Sequence, residues 1–288
     1  MPDKKLTIRG VEWEYSTGGR GEQTVLMFHG AVGGAETMRW LADALGDEYR
    51  TVAPTIAPVR TLSEVCDAAS AILDREHVGR AVVFGGSFGG LVAQAFLKRR
   101  RQQVEHLILL STGVPSPALG AKNETALRFV RFLPFRLTRG LMKLEMGRHL
   151  QAPAAPPEVA ERVGLFRERL DEYLGRDLTK ETFVSRIALS VEFNRRESYA
   201  PEDYEDWPGR VLLIDANDDT MIPAAERRRL RETYPRALVC TFDGAGHMIP
   251  ILKREELVGL VRAFLKEDYG PPPGGEHCPL HEDEGLGH

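Results

Sequence analysis

Residues 81–90 read Ala81-Val82-Val83-Phe84-Gly85-Gly86-Ser87-Phe88-Gly89-Gly90, an apolar run that breaks at a glycine-flanked serine and then enters a helix. The core of the pattern is Gly-x-Ser-x-Gly. Gly85 and Gly89 stand two residues either side of Ser87, where side chains would collide across an abrupt strand-to-helix reversal. Ser87 is then forced into a strained backbone conformation that lifts its hydroxyl above the sheet. Such a pentapeptide also occurs as a plain turn, so its flanks decide. Here a strand, Ala81 to Phe84, precedes it. An apolar-periodic helix, Leu91 to Arg101, follows and ends in Lys98-Arg99-Arg100-Arg101, where basic side chains suit the negative end of the helix dipole.

Serine is a weak nucleophile alone, so the reading requires a base and an orienting acid. After a turn of this kind they follow in the order acid, then histidine, each beyond a later strand. Val211 to Ile214 is a short branched run, hence a buried strand, and it empties into a loop holding Asp215, Asp218 and Asp219 before Pro223. Ala237 to Phe242 is another strand, followed by Asp243-Gly244-Ala245-Gly246-His247-Met248 and a terminal amphipathic helix, Glu255 to Lys266. A lone loop histidine is most often a solvated side chain. Three such residues in the required order, each at a strand end, favour the functional reading.

With these residues in place the chain resembles the α/β-hydrolase superfamily from about Leu6 to Asp268. The resemblance is carried by Phe28-His29-Gly30 after an early strand, Gly85-Gly86-Ser87-Phe88-Gly89, Asp219 before Pro223, and Gly246-His247. It implies an α/β fold with a mostly parallel eight-stranded sheet flanked by helices and interrupted by a helical cap. It assigns Ser87, His247 and Asp219 as nucleophile, base and orienting acid, with Asp218 and Asp215 as the fallback acids. The backbone N–H groups of Phe88 and Ala31 become the oxyanion donors. His29, Gly30, Gly85 and Gly89 support them, with His29 shaping its loop rather than acting as a base. Thr112 lies where some members carry the acid, and no carboxylate follows it until Glu124. Carboxylic ester hydrolysis without cofactor or metal is the implied chemistry, on a small-molecule ester or acyl substrate. Thioester and carbon–carbon bond hydrolysis use the same parts. The cap and the Arg236 to Phe242 region look most like the maspardin-type branch, whose namesake is thought of as a binding protein, so a non-catalytic reading stands beside the catalytic one.

Composition fits one globular catalytic unit. Of 288 residues, 42% are hydrophobic and 28% charged, ordinary for a chain with a sizeable core. A net charge of −4 gives no reason to expect nucleic acid. No run has the length of a membrane span, and the first residues lack the apolar stretch of a signal peptide. Cys66, Cys240 and Cys278 are odd in number and widely spaced, which argues against a disulfide framework and for a cytoplasmic protein.

Strands at Lys5 to Arg9, Val11 to Tyr15, Val25 to Phe28 and Thr51 to Ala53 alternate thereafter with helices at Ala35 to Leu45 and Leu62 to Arg75, the signature of a parallel sheet wrapped on both faces. The alternation stops after Thr112. The expected division is a core of residues 1–111 and 209–269, a helical cap at 112–208, and a disordered tail at 270–288. In the tail His277, Cys278, His281 and His288 lack paired ligand spacing and are not read as a metal site. Lys122 to Arg148 carries seven Lys or Arg against Glu124 and Glu145, interleaved with Phe129, Phe132, Phe135, Leu137 and Met142. The preferred reading is a solvated basic face over an apolar lid, with Phe132 and Leu137 in the pocket wall. Contact with a membrane surface is the lesser one.

Overall fold

The computed structural model describes residues 3–149 and 156–266. Eight strands form one sheet: β1 (Asp3–Ile8), β2 (Val11–Gly18), β3 (Thr24–Phe28), β4 (Arg50–Pro54), β5 (Ala81–Gly86), β6 (Val104–Leu110), β7 (Val211–Ala216) and β8 (Leu238–Phe242). Their spatial order is β1-β2-β4-β3-β5-β6-β7-β8. The β1–β2 and β2–β4 pairings are antiparallel, and those from β4 through β8 are parallel.

Buried parallel strands lack a polar face, and β3 shows why. Val25 and Met27 enter one apolar cluster while Leu26 and Phe28 enter the other. Helices cover both faces or lie over one end of the sheet: α1 (Arg39–Leu45), α2 (Leu62–Arg75), α3 (Phe88–Arg100), α4 (Pro117–Phe132), α5 (Phe135–His149), α6 (Pro157–Glu172), α7 (Lys180–Arg196), α8 (Ala224–Thr233), α9 (Ile249–Leu252) and α10 (Arg254–Leu265). Leu41 and Leu45 of α1 and Leu260 and Phe264 of α10 fill the Val25–Met27 side; Val65 and Ile72 of α2 and Val92 and Phe96 of α3 fill the other. A reciprocal Thr61–Glu64 capping box fixes the start of α2.

Two expectations are adjusted. The helix from Ala35 opens as a 3-10 turn, Ala35–Met38, before α1. The helix after the serine starts at Phe88 rather than Leu91, because the turn delivers the chain directly into helical geometry despite the low propensity of Gly89 and Gly90. Cys66 is buried and free. No described helix is long and apolar enough to cross a membrane. The tail at 270–288, with its His and Cys residues, lies outside the described residues.

Between β6 and β7 the chain leaves the sheet and runs through α4 to α7. The insertion packs back on the loops at the carboxyl ends of the strands. Val163 of α6 clusters with Met248 and Ile251, while Leu170, Leu174 and Leu178 gather around Val32. Ser185 of α7 donates its hydroxyl to the Val59 carbonyl at 2.6 Å. The insertion therefore touches the residues next to both His247 and Ala31.

Candidate active site

Ser87 sits between β5 and α3 at φ 52° and ψ −119°, a conformation that costs a non-glycine residue on the order of 1–3 kcal/mol. Three hydrogen bonds hold it there. The Ser87 N–H donates to the Leu110 carbonyl at 2.8 Å, and the Ser87 carbonyl accepts from the Gly90 N–H and the Thr112 hydroxyl, both at 2.9 Å. The turn tolerates no side chain at Gly85 or Gly89. A Cβ on Gly85 would lie 2.3 Å from the Gly89 carbonyl oxygen, and one on Gly89 would lie 2.1 Å from that of Phe28. The second contact shows how closely the β3 loop, which carries His29 to Ala31, abuts the serine turn.

Beyond β7, Asp219 is folded into a tight loop in which its Oδ1 accepts the N–H groups of Met221 at 2.8 Å and Ile222 at 3.0 Å. Arg227 of α8 secures the loop from outside by donating to the carbonyls of Asn217 at 3.0 Å and Ile222 at 2.8 Å. The other carboxylate oxygen, Oδ2, lies 2.8 Å from His247 Nδ1, and His247 Nε2 lies 3.0 Å from Ser87 Oγ. The Asp219 side chain is fully buried and His247 nearly so. Burial alone would raise the Asp219 carboxyl, but the hydrogen bond and charge of His247, with the two backbone N–H donors, hold it below the usual range. An ionised Asp219 fixes the proton on Nδ1, which leaves Nε2 free to accept from the serine hydroxyl.

The other acids are engaged elsewhere. Asp215 pairs with Arg231 at 3.0 Å, and Asp218 accepts the Gly246 N–H at 3.0 Å. Thr112 serves the backbone of the serine turn. His29 is fully buried: its Nε2 accepts the Ile56 N–H at 2.9 Å, so its Nδ1 carries the proton and donates to the Gly30 carbonyl at 2.7 Å. Burial, helped by the nearby Arg186 charge and opposed by the Gly30 hydrogen bond, pushes its pKa down to about 3. A neutral native His29 means the unfolded chain binds one more proton below the ordinary histidine pKa. Stability is thus complete above about pH 6.5 and falls by about 1.4 kcal/mol per unit as pH drops toward the folded value. Denaturant titrations between pH 6 and pH 4 should show this slope shallower by about that amount in His29→Gln, whose amide offers the same acceptor and donor without titrating.

Arg186 of α7 escaped sequence reasoning. It is 3% exposed, and its Nη1 donates to the Ala31 carbonyl at 2.7 Å and to the Tyr173 hydroxyl at 2.9 Å. Its Nε is buried without a partner, and burial lowers its pKa. The one available signal was an arginine at a helical phase between Phe183 and Leu189. Phe132 and Leu137, expected in the pocket wall, are instead 89% and 58% exposed. The inner face of α5 is taken by Phe135 and Met142, which pack against the Leu170–Leu178 cluster. Among the described residues no cluster of His, Cys, Asp and Glu could hold a metal.

Residues 25–260 match the model of the alpha/beta hydrolase family. Among curated proteins, human maspardin is 24% identical over 278 residues, covering 94% of this chain and 85% of its own length. The 2-hydroxy-6-oxononadienedioate/2-hydroxy-6-oxononatrienedioate hydrolase of Cupriavidus pinatubonensis is 25% identical over 253 residues, covering 80% and 82%. Among solved structures, a thermophilic esterase from Thermogutta terrifontis superposes with a TM-score of 0.75 at 21% identity, covering 94% of this chain and all of the other. That likeness is one of fold.

Proposed function

Because this chain belongs to the alpha/beta hydrolase family and has its fold, we propose that it is a serine hydrolase cleaving a small carboxylic ester or related acyl compound. The observation that carries the reading is the unbroken hydrogen-bonded line from Asp219 through His247 to Ser87. A protein that only binds has no need of a strained serine aligned on a buried, oriented imidazole.

In this mechanism Ser87 Oγ attacks the carbonyl carbon as its proton passes to His247 Nε2, and Asp219 stabilises the imidazolium without itself taking the proton. The negative charge that develops on the carbonyl oxygen falls to the N–H groups of Phe88, at the first turn of α3, and of Ala31. The tetrahedral adduct collapses as His247 returns its proton to the leaving oxygen. Water then attacks the acyl-serine, losing its proton to His247, which passes it to Ser87 Oγ as the carbon–oxygen bond to serine breaks and the acid departs. The insertion α4 to α7 acts as the cap over Ser87 and shapes substrate choice. A panel of p-nitrophenyl esters of increasing chain length tests the reading: turnover of at least the short members is expected, and none across the panel would contradict ester hydrolysis.

Arg186 then ties the cap to the oxyanion loop through the Ala31 carbonyl, as a positioning residue. Arg186→Met should lower turnover by about tenfold to a hundredfold, less than the loss of a direct oxyanion donor. The same change removes a buried cation whose desolvation is opposed by two neutral acceptors and the charge of Glu36, with no carboxylate in ion-pair contact among the described residues, so the melting temperature should hold or rise. A fall in melting temperature that parallels the loss of turnover would mark Arg186 as merely structural.

A further inference from the structure

Helix α5 is apolar on two sides. Phe135 and Met142 face the Leu170–Leu178 cluster, whereas Leu137, Leu141 and Leu144, one turn apart along the helix, form an outer stripe that Phe129 and Phe132 of α4 extend. All five outer side chains are at least 56% exposed. A solvated surface helix carries one apolar stripe, so a second, continued by two phenylalanines on the neighbouring helix, marks a covered surface.

Charge identifies what covers it. Arg131 and Arg136 flank the stripe, both exposed, and neither has a carboxylate partner among the described residues. Glu124, the nearby acid, is already shared between Arg128 at 3.3 Å and Arg195 at 3.0 Å, and Lys143 is held by Asp171 at 2.7 Å. A second copy packed by two-fold symmetry would bring this basic patch against itself, and the sequence of α5 offers one carboxylate, Glu145, against Arg136, Arg139, Lys143 and Arg148. An anionic bilayer supplies both halves of the match: headgroups for Arg131 and Arg136, and the acyl boundary for the leucines and phenylalanines.

We propose that the outer face of α4 and α5 docks on anionic lipid bilayers. The inference stands on this face alone and does not depend on the hydrolase reading. The full chain should sediment with vesicles of phosphatidylcholine containing phosphatidylglycerol, and much less with phosphatidylcholine alone. Phe132→Ser with Leu141→Ser should weaken partitioning by at least about tenfold. Arg131→Glu with Arg136→Glu should reduce it by at least about fivefold for each charge and abolish the preference for the anionic lipid. Unchanged circular dichroism and monomer elution would show that these variants are folded. Failure of the unsubstituted protein to sediment, or sedimentation that both variant pairs retain, overturns the proposal. So does a dimer in solution that these substitutions dissociate, which assigns the face to a second copy.

Discussion

Replacing Ser87 with alanine is expected to lower turnover of a p-nitrophenyl ester by about 10⁶-fold, leaving only the residual rate that the oxyanion donors and substrate binding provide. The size of the effect follows from the role. Without Oγ no acyl-enzyme forms, and His247, placed 3.0 Å from that atom, has nothing to deprotonate. The folded state should not suffer. Ser87 keeps its place through its own backbone N–H and carbonyl, which bond to Leu110, Gly90 and Thr112, and its side chain caps no helix. Steady-state kinetics checks the loss and thermal melting checks the fold. Activity within tenfold of the unsubstituted protein would remove Ser87 from the chemistry.

Asp219→Asn is expected to cost about 10⁴ in turnover. The amide introduced by this change would present N–H to His247 Nδ1, or turn its oxygen away from the Met221 and Ile222 donors. In the first case the imidazole adopts the tautomer protonated at Nε2 and cannot accept from serine. Asp218→Asn keeps an oxygen for the Gly246 N–H and should cost far less. Asp215→Asn breaks the ion pair with Arg231, so its effect should fall on stability rather than on turnover. Turnover measured across the three variants tests the assignment. A larger loss in Asp218→Asn or Asp215→Asn than in Asp219→Asn would move the acid and leave the serine untouched.

The line from Ser87 to Asp219 was legible in the sequence because each member is marked by local constraints. A buried strand must be apolar, a sharp reversal must have glycine at Gly85 and Gly89, and the acid and histidine must lie beyond later strands. These features are short-range, so they survive as patterns in one dimension. The choice among Asp215, Asp218 and Asp219 was a different matter. It depends on which carboxylate meets an imidazole 28 residues away, and spacing from the strand end alone left two alternatives.

The insertion was less legible, for a related reason. Periodicity shows that α5 has apolar faces but not which of them meets the core, and with two such faces the inward assignment of Leu137 was a choice between equals. Phe132, near the end of α4, extends the outer face because the turn at Leu133 and Pro134 directs the chain inward only at Phe135. Arg186 was hidden by the opposite effect. In sequence it looks like one more solvated arginine, and only the packing of α7 over the Ala31 loop buries it.

Labelling by a fluorophosphonate, followed by mass-spectrometric mapping of the adduct, tests whether Ser87 is an activated nucleophile without knowledge of the substrate. A single adduct is expected on the peptide containing Ser87, lost in Ser87→Ala and greatly slowed in His247→Ala and Asp219→Asn. No adduct on the folded protein, or one that forms at the same rate when His247 is replaced, would contradict it.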